Sequence, residues 1–492
     1  MEKNDSRSYS FSLVTLTMLF FMWGFITCLN DILIPYLKGV FDLGQFEATL
    51  VQLAFFLAYF VVSLAYFIVS ATFGDPILKI GYKKTISLGL FISAVACFLF
   101  YLEADSDNPV FAVFLLALFL LGAGFTFLQI AANPLVAVLG TPDTASSRLN
   151  LSQAFNSLGT TLAPVIGGTL IFDYFLVDGQ GASSVRIPYL VLASLLLILF
   201  GVIFFAEIPV VNMQDDNKEL DRLGALKYPH LTYGMIGIFC YVGAEVAIGS
   251  NLVEYMTKFH SLDSLHASQL LAFYWGGAMI GRFMGAISMS KMRTELKVFL
   301  MILSAVLSLS LIFYVISVAA DMTFSAFIDF FMNMKVYYFL AFLLLNFFVF
   351  VWAKSKPSRT LGLFAVMNMV LVVLMLVMEN ELSLWSILAV GLFNSIMFPN
   401  VITLAIDGLG KYTSQGSSLL VMMILGGAVV PPLQGLLSDY FDAHVAFALP
   451  LVCYAYLVWY GFVGCKVGKK PLVNENENLS NKIIENNKLT KK

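Results

Sequence analysis

The sequence predicts an all-α polytopic membrane protein of two six-helix halves, with an extra helix pair that brings the total to about fourteen transmembrane helices. Three observations predict it. The chain is 59% hydrophobic and 12% charged, whereas soluble domains carry roughly 25% charged residues. Apolar runs of about 20 residues recur from residue 12 to residue 466, each long enough to cross a hydrocarbon layer of about 30 Å. Short motifs of the first half also return, in the same order, in the second.

Taken in order, spans are expected at 12–36, 48–70, 84–102, 110–139, 149–173, 188–207, 231–257, 268–290, 297–319, 336–353, 360–379, 384–407, 415–437 and 444–466. The first run is too long for a signal h-region and should be retained as a span. With the N-terminus inside, only Lys38, Arg186, Lys258 and Lys335 fall in outer loops and Arg282 within a span. Every other Lys and Arg then lies on the inner side. This bias places both termini in the cytoplasm, and the acidic loop "EADSDNP" (103–109) on the outside agrees. The expected divisions are a cytoplasmic N-terminus (1–11), a first half (12–207), a linker (208–230), a second half (231–466) and a tail (467–492). The tail is Lys/Asn/Glu-rich with few apolar residues, a composition expected to be disordered.

Fourteen spans exceed two sets of six by one pair. The loop "SKMRTELK" (290–297) is echoed by "KSKPSRT" (354–360). An inserted hairpin within about 297–379 accounts for this, placed between spans nine and ten of the twelve-helix core.

The repeat aligns "FMWGFITCLNDILIPYLKGVF" with "CYVGAEVAIGSNLVEYMTKFH", matching Gly24 with Gly243, Leu33 with Leu252 and Tyr36 with Tyr255. "APVIGG" (163–168) resembles "VPPLQG" (430–435), and "AANP" in the fourth span corresponds to "FPN" in the twelfth. Two repeated halves with a site between them form a transporter arrangement.

Polar residues inside spans mark candidate sites, because a carboxylate in hydrocarbon costs a few kcal/mol and normally faces the bundle interior. Asp31 and Glu245 are the two candidates, read as cation-coupling groups. Asn30, Gln129, Asn133, Gln153, Asn156, Asn251, Asn394 and Asn400 form an amide set drawn from both halves. An amide offers two donors and an acceptor, which suits paired sugar hydroxyls. Trp23, Tyr241, Tyr274 and Trp275 offer rings against which a sugar packs. Arg282, in "IGRFMGA", is expected to serve structure, paired with Glu245 or snorkelling to the cytoplasmic interface.

Nothing in the sequence points to an enzyme. The five cysteines lack metal-ligand spacing and read as small buried residues. The four histidines fall at or near span ends. No metal site, cofactor or nucleic-acid partner is expected; the partners are a small-molecule sugar and the lipid bilayer, and the chain is expected to function as a monomer. Energy then comes from a gradient of H+ or Na+.

At "NDILIPYL" (30–37), "QIAANPLVAVLG" (129–140), "RLNLSQAFNS" (148–157), "YVGAEVAIGS" (241–250), "GLFNSIMFPN" (391–400) and "TSQGSSLLVMMILGGAVVPPLQGLLSD" (413–439), the chain resembles the major facilitator superfamily. More narrowly it resembles the L-fucose/proton symporter family and its glucose/galactose branch. The resemblance implies that Asp31 matches the first-span carboxylate that takes up the coupling proton, and that Gln153 and neighbouring amides match sugar-facing positions. Gln129 stands where fucose symporters carry a glutamate, which favours the glucose/galactose branch, where Glu245 is present. Fucose or N-acetylglucosamine symport is the alternative within the family, and multidrug/proton antiport the alternative outside it. "GDPILKIGYKK" (74–84) keeps Gly74, Gly81 and Lys83 of the superfamily's loop signature but has Leu78 where an aspartate is usual. A bacterial inner-membrane location is expected.

Overall fold

The computed structural model describes residues 2–42, 45–168, 186–206, 223–319 and 323–468, and the side chains of most of these. The side chains at 30–36, those of Asn30 and Asp31 among them, lie outside the described residues. Most of the linker and tail expected at 208–230 and 467–492 also lies outside them. The first half comprises α1 (Glu2–Val40), α2 (Gln45–Phe73), α3 (Tyr82–Ala104), α4 (Phe111–Val138), α5 (Ala145–Gly168) and α6 (Arg186–Phe205). The second begins with α7 (Pro229–Phe259), α8 (Ser264–Ser288), α9 (Thr294–Ala319) and α10 (Tyr337–Ala353). It continues with α11 (Pro357–Val377), α12 (Glu381–Ile406), α13 (Gly410–Tyr440) and α14 (Leu449–Phe462).

Among the described residues, twelve helices are long and apolar enough to cross a membrane. α5 and α10 are the two fourteen-span expectations outside that group. α5 is too polar, since it carries Arg148, Asn150, Gln153, Asn156 and Ser157. α10 is apolar but has only 17 residues.

The internal repeat is visible in the packing. In the first half α3 lies on α4 and α6, α2 on α4 and α1 on α5. The same pattern returns as α11 on α12 and α14, α8 on α12 and α7 on α13. By this correspondence α11 and α12 hold the ninth and tenth places of the repeat. The additional pair is then α9 and α10, packed on α8 and α12 respectively. That puts the pair one place earlier than the loop comparison suggested, between the eighth and ninth helices of the repeat.

The halves meet where α5 packs on α8 and α2 on α13. At the end bearing the basic loops they are joined by buried hydrogen bonds. Ser146 Oγ and Thr403 Oγ1 are 2.7 Å apart, Ser147 Oγ donates to Ala286 O at 2.6 Å, and Asn150 Nδ2 donates to Asn400 Oδ1 at 3.1 Å. Lys291 and Asp143 add an ion pair at 2.6 Å, but it is exposed, and exposed pairs contribute little. Asp75 supplies a further link: it accepts from Tyr66 Oη and caps the short helix Pro76–Ile80, while its second oxygen accepts from Ser414 of the opposite half. In this loop the carboxylate that reaches the opposite half is Asp75, three residues before Leu78. The molecule is closed at the end that the charge bias assigns to the cytoplasm.

α12 and α13 are broken, although the apolar pattern reads them as continuous. α12 divides into Glu381–Asn394 and Met397–Ile406. Pro399 explains the break, because it has no N–H for the carbonyl of Ser395 one turn earlier. α13 divides into Thr413–Met422 and Gly426–Tyr440 around a 3₁₀ turn at Met423–Leu425.

Glycine sets the approach of α8 to α12. A Cβ on Gly391 would lie 1.9 Å from the Tyr274 carbonyl oxygen, an overlap that only backbone movement relieves. Gly391→Ala should therefore destabilise the protein by about 1–3 kcal/mol, read as a lower midpoint of thermal unfolding in detergent. An unchanged midpoint would contradict this packing.

Candidate functional site

A cavity of about 140 Å³ lies between the halves, lined by Trp23, Gln129 and Gln153 on one side and Tyr241, Val242, Glu245, Arg282, Phe398 and Ile424 on the other. It has room for roughly five waters at about 30 Å³ each. Gln153 and Ser146 are seven residues apart on α5, so the sealing contacts begin about 10 Å from the cavity at 1.5 Å per residue.

Its polar wall follows from the break in α12. The Ser395 carbonyl, freed by Pro399, accepts from Arg282 Nε at 3.0 Å. That bond fixes the base of the guanidinium, so its two remaining nitrogens point in set directions. Nη1 donates to Ser157 Oγ on α5, in the opposite half. Nη2 lies 3.9 Å from Glu245 Oε1. Tyr241, one turn before Glu245, donates its hydroxyl to the same carboxylate oxygen at 2.6 Å. Tyr274 Oη donates to the Glu245 carbonyl at 2.8 Å and so ties α8 to α7. Arg282 is 9% exposed, too deep to snorkel, and buried charges persist only when paired and hydrogen-bonded.

The amides divide into two groups. Gln129 and Gln153 line the cavity on the first-half side, and Asn133 is wholly buried beside Gln153 without lining it. Gln153 Nε2 donates to Asn133 Oδ1 at 3.4 Å, and Gln129 Oε1 and Asn133 Nδ2 have no hydrogen-bond partner among the described residues. Asn156, Asn251, Asn394 and Asn400 are not brought to this cavity. Asn156 Nδ2 donates to Phe20 O and joins α5 to α1, while Asn251 Nδ2 donates to Ala247 O on its own helix. Asn394 is surrounded by Tyr274, Tyr454 and Asn368 inside the second half. Asn400 takes part in the cytoplasmic-end seal. Trp23 and Tyr241 line the cavity, Tyr274 supports Glu245 from behind, and Trp275 is on an exposed face. Sequence reasoning undervalued Arg282. The signal for it was Pro399, which frees a carbonyl that a donor on a neighbouring helix must satisfy.

Two packed repeats enclosing a polar midpoint cavity define a membrane transporter with alternating access. The chain belongs to the Major Facilitator Superfamily, whose pattern matches residues 13–336. It is 40% identical over 473 residues to a glucose/galactose transporter of Brucella abortus, covering 94% of this chain and 97% of that one. A putative glucose/galactose transporter of Helicobacter pylori is 37% identical over 475 residues, covering 94% and 98%. The L-fucose-proton symporter of Escherichia coli is 28% identical over 484 residues, covering 92% and 93%. The crystal structure of a Major Facilitator Superfamily transporter, FucP, in the outward conformation superposes with a TM-score of 0.71 at 26% identity, covering 93% and 99%. The chain is therefore a multi-pass membrane protein.

The pairing of Glu245 with Arg282 carries a stability signature. Arg282→Gln leaves a buried carboxylate without its counter-charge and should cost about 3 kcal/mol. Adding Glu245→Gln to that variant should restore part of the loss. Thermal unfolding of the two single variants and the double variant checks this, and strictly additive losses would show that the two groups are not coupled.

Proposed function

We propose that this chain imports a hexose, glucose or galactose in the first instance, across a bacterial inner membrane in symport with a proton. The observation that carries the reading is the buried Glu245–Arg282 pair facing Gln129 and Gln153 across a cavity between the halves. Relatives named for glucose/galactose transport and for fucose-proton symport support the same class of substrate and coupling.

In this reading Gln129 and Gln153 contact sugar hydroxyls, Asn133 holds Gln153, and Trp23 packs against an apolar face of the ring. Glu245 and Asp31 are the coupling carboxylates. Protonation of Glu245 dissolves its ion pair, and the acid group and the released Arg282 nitrogen both become donors to sugar oxygens. Proton and sugar therefore favour each other's binding. With the proton bound the Glu245 carboxyl is neutral and no longer opposes closure of the cavity, while the Arg282 guanidinium keeps its charge and its bonds to the Ser395 carbonyl and Ser157. Asn150, Asn400, Ser146 and Thr403 then part as the halves rock and the cytoplasmic end opens.

The test is uptake of labelled glucose and galactose into proteoliposomes under an imposed proton gradient and, separately, a Na+ gradient. Accumulation above equilibrium under the proton gradient alone is expected, with Asp31→Asn reduced to equilibration. Accumulation driven by Na+ alone would overturn proton coupling. Equilibration under both gradients would make the protein a uniporter.

A further inference from the structure

The additional helices have no place in the twofold repeat, yet α10 carries one side chain unlike its neighbours. In "YYFLAFLLLNFFVFVWA" the residue Asn346 is wholly buried and is flanked on both sides by apolar residues. A lone amide in an apolar span commonly serves as interhelical glue between intact helices. This one is placed differently. Its Nδ2 donates at 3.1 Å to the carbonyl of Leu392, the same oxygen that accepts from Ser395 Oγ at 2.7 Å. Leu392 is in the last turn of the first piece of α12, where carbonyls lose their intrahelical partners. One residue before Arg282, Gly281 packs so closely that a Cβ would lie 2.7 Å from that Leu392 oxygen and 2.2 Å from Ser395 Oγ.

We infer that Asn346 is a positioning residue for the transport site: it braces the break in α12, and through the Ser395 carbonyl it fixes where Arg282 holds its guanidinium against Glu245 and Ser157. The brace gives the additional helix pair a task, since α10 supplies from outside the repeat a donor that a discontinuous helix needs. In a bilayer no water at that depth replaces it. This inference rests on the reading of Arg282 and Glu245 as part of the sugar site.

The experiment uses the full chain in lipid nanodiscs and proteoliposomes. Hydrogen exchange of backbone amides at 394–398 should be about threefold to tenfold faster in Asn346→Leu than in the wild type. Exchange in α11 should stay unchanged, and Asn346→Gln, which keeps the donor, should restore slow exchange. In uptake, Asn346→Leu should raise the half-saturating sugar concentration while leaving the maximal rate, and should have no further effect in an Arg282→Lys background. Unaltered exchange at 394–398 overturns the proposal, as does an equal uptake defect in the Arg282→Lys background. If Asn346→Leu does not reach the membrane, Asn346→Ser, too short to reach Leu392, is read in the same way. If the wild type moves no sugar, the proposed function fails while the exchange measurement still decides the brace.

Discussion

Pro399 has no N–H to offer the carbonyl of Ser395, and the structure of the site depends on what takes its place. The donor is Arg282 Nε, from the neighbouring helix α8. With one nitrogen anchored there, the guanidinium reaches Glu245 on α7 and Ser157 on α5, so one side chain joins a broken helix, a buried carboxylate and the opposite half. The carboxylate is in turn held by Tyr241, and its backbone by Tyr274. A charge this deep persists because the guanidinium is hydrogen-bonded to Ser395 and Ser157 and faces a carboxylate.

Buried hydrogen bonds, more than exposed charge, hold the observed conformation. Ser146, Ser147 and Asn150 meet Thr403, Ala286 and Asn400 below the cavity, away from water. The ion pair between Lys291 and Asp143 is solvent-exposed, and solvent screens it. Neutral contacts of this kind are individually modest, which suits an interface that must open and close with each cycle. Arg282–Ser157 crosses the same interface beside the cavity, so occupancy of the site and contact between the halves involve the same residue. In the proposed cycle the protonated, sugar-loaded site releases Arg282 from Glu245, and the empty site re-forms that pair.

Much of the fold is legible in the sequence, because membrane spans are long, apolar and separated by charged loops. Twelve of the fourteen expected spans coincide with helices long and apolar enough to cross a membrane among the described residues. The additional pair was placed one position late, since loop similarity carries no information on which helices pack together. The cavity was legible in part. Glu245, Gln129 and Gln153 stood out as polar residues in apolar runs, and they do line one space. Asn394, Asn400 and Asn156 stood out equally and instead satisfy other helices, because an amide looks the same in sequence whether it faces a cavity or a neighbouring backbone. The place of Arg282 was legible only through Pro399, a backbone effect acting between two helices more than 100 residues apart. Asp75 was missed because the familiar loop pattern drew attention to Leu78.

The most direct measurement is the affinity of the purified protein for galactose as a function of pH, followed by the fluorescence of Trp23 in a variant that keeps no other tryptophan. Coupling through Glu245 predicts that wild-type binding weakens with rising pH, approaching about tenfold per unit for each linked proton, and that Glu245→Gln loses part of that dependence, the remainder belonging to Asp31. A Glu245→Gln variant that keeps the full wild-type pH dependence would contradict it.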